Sequence, residues 1–225
     1  MTSEHKAWNW KLNTDTFWHE PCEESYWLVH RWKEKGYTRF LDLGCGLGRH
    51  SMLFAREGFT VNAVDLSSDA VACLEEKAKS ADLSECIRAQ VCDMSALPFE
   101  DNSFDCLLAF HVISHTTSEG IRGILREVRR VLKAGGEFYL TLCSKDTWSY
   151  AKAGFPRIDE HTVIKQEDGP EDGIPHFFAD EDTIFELFAR EELITVRHIK
   201  ERIVAGRDYG SWHWFVLGRT SAKGQ

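Results

Sequence analysis

Apolar and polar positions along the chain switch repeatedly between two periods. Short runs at Arg39–Leu43, Thr60–Asp65, Ile87–Cys92, Phe104–Val112 and Phe138–Leu142 read as strands. Between them Met52, Leu53 and Ala55, then Val71, Leu74 and Ala78, then Ile121, Ile124, Leu125, Val128, Val131 and Leu132 recur at helical spacing. Phe104–Val112 is nearly continuous in apolar residues, as a parallel strand covered on both faces requires. The punctuation agrees with this division. Gly58 suits a left-handed helix end, Ser67 or Ser68 can cap the next helix, and Gly135-Gly136 breaks the chain before the fifth strand. Asp180 can cap a further helix carrying Ile184, Leu187 and Phe188. Leu193–Val204 and Trp212–Leu217 then pair as a hairpin across Ala205-Gly206-Arg207-Asp208. The expectation is an α/β, Rossmann-like fold with seven strands, mostly parallel, closed by a C-terminal antiparallel hairpin, with helices on both faces.

The two ends of this pattern are less regular. Residues 1–20 hold Trp8, Trp10, Phe17 and Trp18, a density of rings that should pack on something. Pro21, Glu23 and Glu24 suit a first helical turn, and Tyr26, Val29 and Trp32 give that helix an apolar stripe before Gly36. Residues 1–36 are therefore read as an aromatic helical cap and 37–225 as the main domain. Alternation lapses over 144–178, where Gly, Pro, Asp and Glu mix with Trp148, Tyr150, Phe155, His161 and His176; a segment of this kind reads as a lid.

At 225 residues one domain with an embellishment is expected. The net charge of −9 argues against a nucleic-acid partner, and Arg126, Arg129, Arg130 and Lys133 read as the solvated face of one helix rather than a basic patch. Seven scattered cysteines without a C-x-x-C pair fit reduced thiols. The N-terminus has no signal-like apolar core and no apolar run reaches membrane-spanning length, so a cytoplasmic protein without membrane contact is expected.

The chemistry centres on Phe40–Ser51, where a strand runs into Gly44, Gly46 and Gly48 and then into a helix. Glycines at alternate positions let a ligand touch the backbone, and the helix N-terminus offers unpaired N–H groups. Right-handed crossovers bring the ends of strands one to four to one crevice: the glycine turn, Asp65, Asp93-Met94 and Phe110-His111. Asp65 lies 21 residues after Gly44, in register for a carboxylate that accepts a ribose diol. A nicotinamide dinucleotide is the competing ligand, but its third glycine would fall at Arg49, whereas the chain places it at Gly48 and has Asp42 within the strand.

With Leu41-Asp-Leu-Gly-Cys-Gly-Leu-Gly-Arg-His50, Val64-Asp-Leu-Ser67, Phe104-Asp105 and Leu132-Lys-Ala-Gly-Gly136, the chain resembles the class I S-adenosylmethionine-dependent methyltransferases of the small bacterial type, from about Gly36 onward. The resemblance implies the seven-stranded methyltransferase fold and S-adenosylmethionine as cofactor. It further implies that Gly44, Cys45, Gly46 and Gly48 pass beside the methionine part, that Asp65 holds the ribose, and that Asp93, Met94 and Leu66 frame the adenine. Phe110 and His111 would pass beneath the sulfonium, and Asp42 would orient the glycine loop.

Methyl transfer from a sulfonium asks mainly for an in-line nucleophile and exclusion of water, so no fixed catalytic residue is expected. Among His111, His115, His176 and His213, His115 is the candidate base because it follows strand four into the crevice mouth. His111 and His115 have i, i+4 spacing, but on a strand end without an intervening glutamate or clear third ligand no metal is expected; metal-assisted methyl transfer to a catechol-like acceptor is the lesser alternative. Phe110-His-Val-Ile113 replaces the Asn/Asp-Pro-Pro-Tyr motif of nucleobase and glutamine methylation, so a small-molecule acceptor is expected. Trp18, His115 and His176, with Trp8, Trp10, Trp148, Phe177 and Phe178, would close a small apolar pocket around it. A non-catalytic S-adenosylmethionine-binding or regulatory protein is the alternative.

Overall fold

The computed structural model describes Trp8, Trp10 and residues 16–166, 169, 171–204 and 207–221. Of the turn expected at Ala205-Gly206-Arg207-Asp208, Ala205 and Gly206 lie outside the described residues, as does the side chain of Phe17, while Arg207 and Asp208 belong to the last strand. Helix α1 (Glu23–Glu34) leads into β1 (Arg39–Leu43), α2 (Arg49–Arg56), β2 (Thr60–Asp65), α3 (Ser68–Ser80) and β3 (Ile87–Val91). Then follow β4 (Phe104–Ala109), α4 (Ser118–Val131), β5 (Leu132–Ser144), α5 (Trp148–Ala151), β6 (Thr162–Ile164), β7 (Pro175–Ala179), α6 (Glu181–Leu187), β8 (Glu191–Val204) and β9 (Arg207–Thr220). The parallel strands run in the order β3-β2-β1-β4-β5, so strand order reverses between β1 and β4. Strand β9 joins β5 antiparallel and carries β8 on its other edge, which is the expected hairpin.

Side chains alternate across this sheet and build two cores. Leu41 and Leu43 enter one with Ile121, Leu125 and Val128 of α4 and Ile184 of α6. Phe40 enters the other with Leu28, Val29 and Trp32 of α1, Phe54 of α2 and Leu74 of α3. The caps fall as read: the Ser67 hydroxyl accepts from Ala70 N, and the Asp180 carboxylate accepts from Thr183 N.

Several expectations change. Strand β4 stops at Ala109 because His111 takes φ of 55°, a left-handed conformation that breaks strand geometry. Strand β5 begins at Leu132 and runs through the glycine pair, with a register shift against Phe104 and Cys106. Among the described residues the sheet has nine strands rather than seven, since part of 144–178 is sheet: β7 pairs parallel with Cys143 and Ser144 of β5 and antiparallel with β6. Tyr26 is half exposed, and Leu28 takes its place against the core. Arg129 and Arg130 of α4 are paired rather than merely solvated. Arg129 binds Glu191 and the Leu187 carbonyl, Arg130 binds Glu127 and the carbonyls of Leu97 and Phe99, and Lys133 meets Asp105 at 2.6 Å. Trp214 packs on β7 and His198, donating its indole N–H to the Ala179 carbonyl.

Two buried carboxylates tie helices to the sheet. Glu137 on β5 is fully buried and accepts two bonds from Arg31 and one from Trp32 Nε1, with Lys35 3.2 Å away. Asp42 on β1 accepts the Ser51 hydroxyl of α2 at 2.6 Å. Replacing Glu137 by Leu strands three donors of α1, so a loss of about 3 kcal/mol is expected in denaturant unfolding, with faster amide exchange in α1. Burial raises the Asp42 carboxyl to about 6. Between its unfolded value and that one the folded chain holds more protons than the unfolded chain, so this group's contribution falls as pH rises through the interval. Asp42→Asn, which keeps an acceptor for Ser51, is expected to gain on the wild type by on the order of 2–3 kcal/mol between about pH 4 and pH 7. Denaturation at both pH values checks this; an unchanged difference would contradict it.

Candidate active site

The site forms where the carboxyl ends of β1, β2, β3 and β4 meet beside the strand-order reversal. The glycine loop is fixed from beneath, as Gly44 N and Cys45 N both donate to the Val64 carbonyl at 2.8 and 2.9 Å. Asp65 fixes it from the side: one carboxylate oxygen accepts from Gly46 N and the other from Ser67 N, both at 2.8 Å. Burial raises the Asp65 carboxyl, while those N–H groups hold it down. Asp93 closes its own turn, accepting from the Ser95 N–H and hydroxyl.

Gly44, Cys45, Gly46, Asp65, Leu66, Asp93, Met94, Phe110 and His111 all line one groove, as expected from the strand ends. Gly48 does not line it. A Cβ there would meet Leu74 Cδ1 at 2.3 Å, so this glycine serves the approach of α3 to the loop. At Gly46 the bare backbone does face the groove, and it is covered by the Trp10 indole, 2.5 Å from where a Cβ would stand. About 80 Å³ of free space remains in the groove.

That cover is a cluster of three indoles. Trp8 lies edge-on to Trp10 and Trp18, with centroids 5.1 and 5.0 Å apart, and stacks on His115 at 5.8 Å. Arg49, at the position a dinucleotide site gives to glycine, holds the segment down. Its guanidinium lies over the Trp18 ring at 5.0 Å and the Phe110 ring at 5.4 Å, and it donates to the Glu20 carbonyl. His50 accepts from Cys22 N, and burial keeps its pKa well below the ordinary value. The indole N–H groups of Trp8 and Trp10 are buried with no acceptor among the described residues.

A second chamber of about 790 Å³ shares Trp18, His111 and His115 with the groove as common wall. Its lining mixes polar and apolar side chains in about equal measure, where an apolar one was expected. His176 and Phe178 of β7 border it, while Phe177 between them turns into the core; Trp148 is half exposed at its rim. His111 and His115 do not converge on each other, and each joins a different trio. His111 Nε2 lies 3.3 Å and His213 Nδ1 2.6 Å from one Glu201 oxygen. His115 Nε2 and His176 Nε2 each lie 3.5 Å from a Glu171 oxygen. Burial leaves His111 and His176 with pKa values of about 4. Against the same burial, Cys143 and Glu201 hold His213 at about 9, and burial likewise opposes the His bonds that keep Glu201 ionised. Glu171 and Glu201 have no spacing signal in the chain. The trace of Glu201 is a carboxylate on a strand whose hairpin partner carries His213, two positions from its register mate Ser211.

A strand-order reversal, a glycine turn held by a strand-end carboxylate and a second carboxylate one strand further out define a Rossmann-like fold. Residues 41–140 match the family model described as a methyltransferase domain. A sterol 24-C-methyltransferase of Gibberella zeae is 30% identical over 118 residues, 52% of this chain and 30% of that protein. The norajmaline N-methyltransferase of Rauvolfia serpentina is 32% identical over 127 residues, 56% of this chain and 42% of that one. The chain thus spans less than half the length of these curated relatives. A solved S-adenosylmethionine-dependent methyltransferase of Methanosarcina mazei superposes with a TM-score of 0.74 over 91% of this chain and all of that one, at 21% identity. Residues 41–140 thus match a methyltransferase domain, and the chain has the fold of that solved methyltransferase.

Proposed function

We propose that the chain transfers the methyl group of S-adenosylmethionine to a small-molecule acceptor. The observation that carries this reading is the shared wall: Trp18, His111 and His115 separate a nucleoside groove from a chamber of about 790 Å³, a size suited to a small organic molecule. The residues present fit the cofactor, because the Gly46 backbone offers a flat surface already able to carry an aromatic plane. Asp65 would take the ribose hydroxyls with its remaining lone pairs, and Asp93, Met94 and Leu66 would frame the adenine. Bound there, the cofactor supplies an electrophilic methyl; the chain's part is to aim it at the chamber and keep water out.

The acceptor reading follows from the chamber's lining of His, Glu, Lys, Ser and Thr, which favours a polar molecule with hydrogen-bonding groups. The two curated relatives are named for a sterol carbon and for norajmaline nitrogen, so the family name leaves the methylated atom open. We read residues 1–36 and the 144–178 insertion as the parts that close over the acceptor. The net charge of −9 supports a chain that does not bind nucleic acid, seven free cysteines support a reducing, cytoplasmic setting, and no described helix is long and apolar enough to cross a membrane.

Incubation with methyl-labelled S-adenosylmethionine and a panel of polar hydroxyl, amine and thiol acceptors is expected to transfer label to at least one class. Tight cofactor binding with no transfer to any acceptor would favour a binding or regulatory protein. Asp65→Ala is expected to weaken S-adenosylhomocysteine binding at least tenfold in calorimetry; equal affinity would remove the ribose assignment. Trp10→Ala is expected to tighten the same binding several-fold, since the free chain then spends no fraction of its time with an indole on Gly46. Weaker binding would instead mean that the indole packs on the bound ligand.

A further inference from the structure

His176 is 1% exposed, and its Nδ1 lies 2.9 Å from the Ile174 carbonyl. A carbonyl only accepts, so Nδ1 carries the proton and Nε2 presents a lone pair. That lone pair has no hydrogen-bond partner among the described residues, yet it is buried and faces a Glu171 oxygen at 3.5 Å. Lone pair against carboxylate is repulsive unless a cation stands between them. On the other side, His115 Nε2 faces the second Glu171 oxygen, also at 3.5 Å, and all three ligand atoms lie within 4.8 Å of one another. Bonds of 2.0–2.2 Å to a tetrahedral ion set ligand-to-ligand edges of about 3.3–3.5 Å. The two His–Glu171 separations have that length, too long for good hydrogen bonds and right for atoms that share a metal.

We propose that His115, Glu171 and His176 bind one divalent first-row transition ion of the zinc type, with its open position toward the acceptor chamber. The neighbouring trio differs: His213 Nδ1, likewise without a hydrogen-bond partner among the described residues, lies 2.6 Å from a Glu201 oxygen, closer than two ligands of one ion stand. Two neutral imidazoles and one carboxylate are a ligand set that leaves a coordination position for substrate. His176 is oriented from outside by the Ile174 carbonyl, as metal-bound histidines commonly are. Lys165 touches Glu171 and in the ion's absence neutralises it, so its charge opposes the ion.

Resting on the methyl-transfer reading, the site narrows the acceptor to one that offers the ion a hydroxyl oxygen. Coordination eases loss of the O–H proton to solvent. The oxygen then attacks the sulfonium methyl; the S–CH₃ bond breaks with its pair going to sulfur as the O–CH₃ bond forms.

The test is titration of the chelator-treated full chain with zinc(II) against a chromophoric chelator, repeated with cobalt(II) for its visible spectrum. Calorimetry with S-adenosylhomocysteine runs alongside. One tight equivalent is expected, with a tetrahedral nitrogen–oxygen cobalt spectrum. Glu171→Gln and His176→Gln should each weaken binding by more than the 10–100-fold that loss of an outer-shell partner costs. Lys165→Met should tighten it, an outcome that needs no loss of fold, and His213→Gln should leave it unchanged. No stoichiometric binding by the wild type, binding that survives both ligand substitutions, or Lys165→Met that weakens it would overturn the site. Ion binding without S-adenosylhomocysteine binding would instead overturn the methyl-transfer reading and leave the site standing.

Discussion

The carboxylate of Asp65 is the constraint on which the rest of the site depends. It accepts from the backbone on both sides, from Gly46 across the crevice and from Ser67 at the start of α3, and so fastens β2's end to the loop after β1. Because β1 and β2 are also paired in register through Leu43 and Val64, the loop is held by strand and side chain together. A charged acceptor for two N–H donors is worth more than a neutral one, and in a buried place it is costly to lose. The groove, the reach of α2 and the seating of the N-terminal indoles all inherit their positions from this loop.

The protein adds a layer to that frame through its edges. Strand β5 divides its last residues between β9 and β7, which lets the inserted segment enter the sheet. The consequence is that His176, a residue of a loop-like sequence, is carried on a strand with its ring locked, while His213 arrives from the hairpin on the other side. Two elements far apart in the chain thereby set opposite walls of one chamber, and His111 and His115 from the loop after β4 divide it from the groove.

How much of this was legible depends on which physical rule governs each part. The bounds of β1 and β2, the caps Ser67 and Asp180 and the antiparallel pairing of the last two strands follow from local patterns, although β9 begins at Arg207, inside the expected turn. The groove was legible because parallel strands must end on one edge. What was hidden obeys tertiary rules. Nothing local says that Gly48 makes room for Leu74, or that the glycines of β5 continue a strand. The early end of β4 comes from the left-handed backbone of His111, which an apolar run does not disclose. Glu171 and Glu201 matter only through partners brought from elsewhere, so no spacing points to them.

The docking of Glu20 and Cys22 onto Arg49 and His50 carries a further consequence. Trp10 is eight positions from Trp18, and Trp18 is itself pressed against Arg49, so the indole over Gly46 is leashed at its own site. A segment tethered within eight positions of its anchor acts at a high effective concentration, on the order of millimolar. A ligand for the groove therefore competes with a fixed internal occupant whose strength does not change with protein concentration. Its threshold for binding is written into the length of that leash.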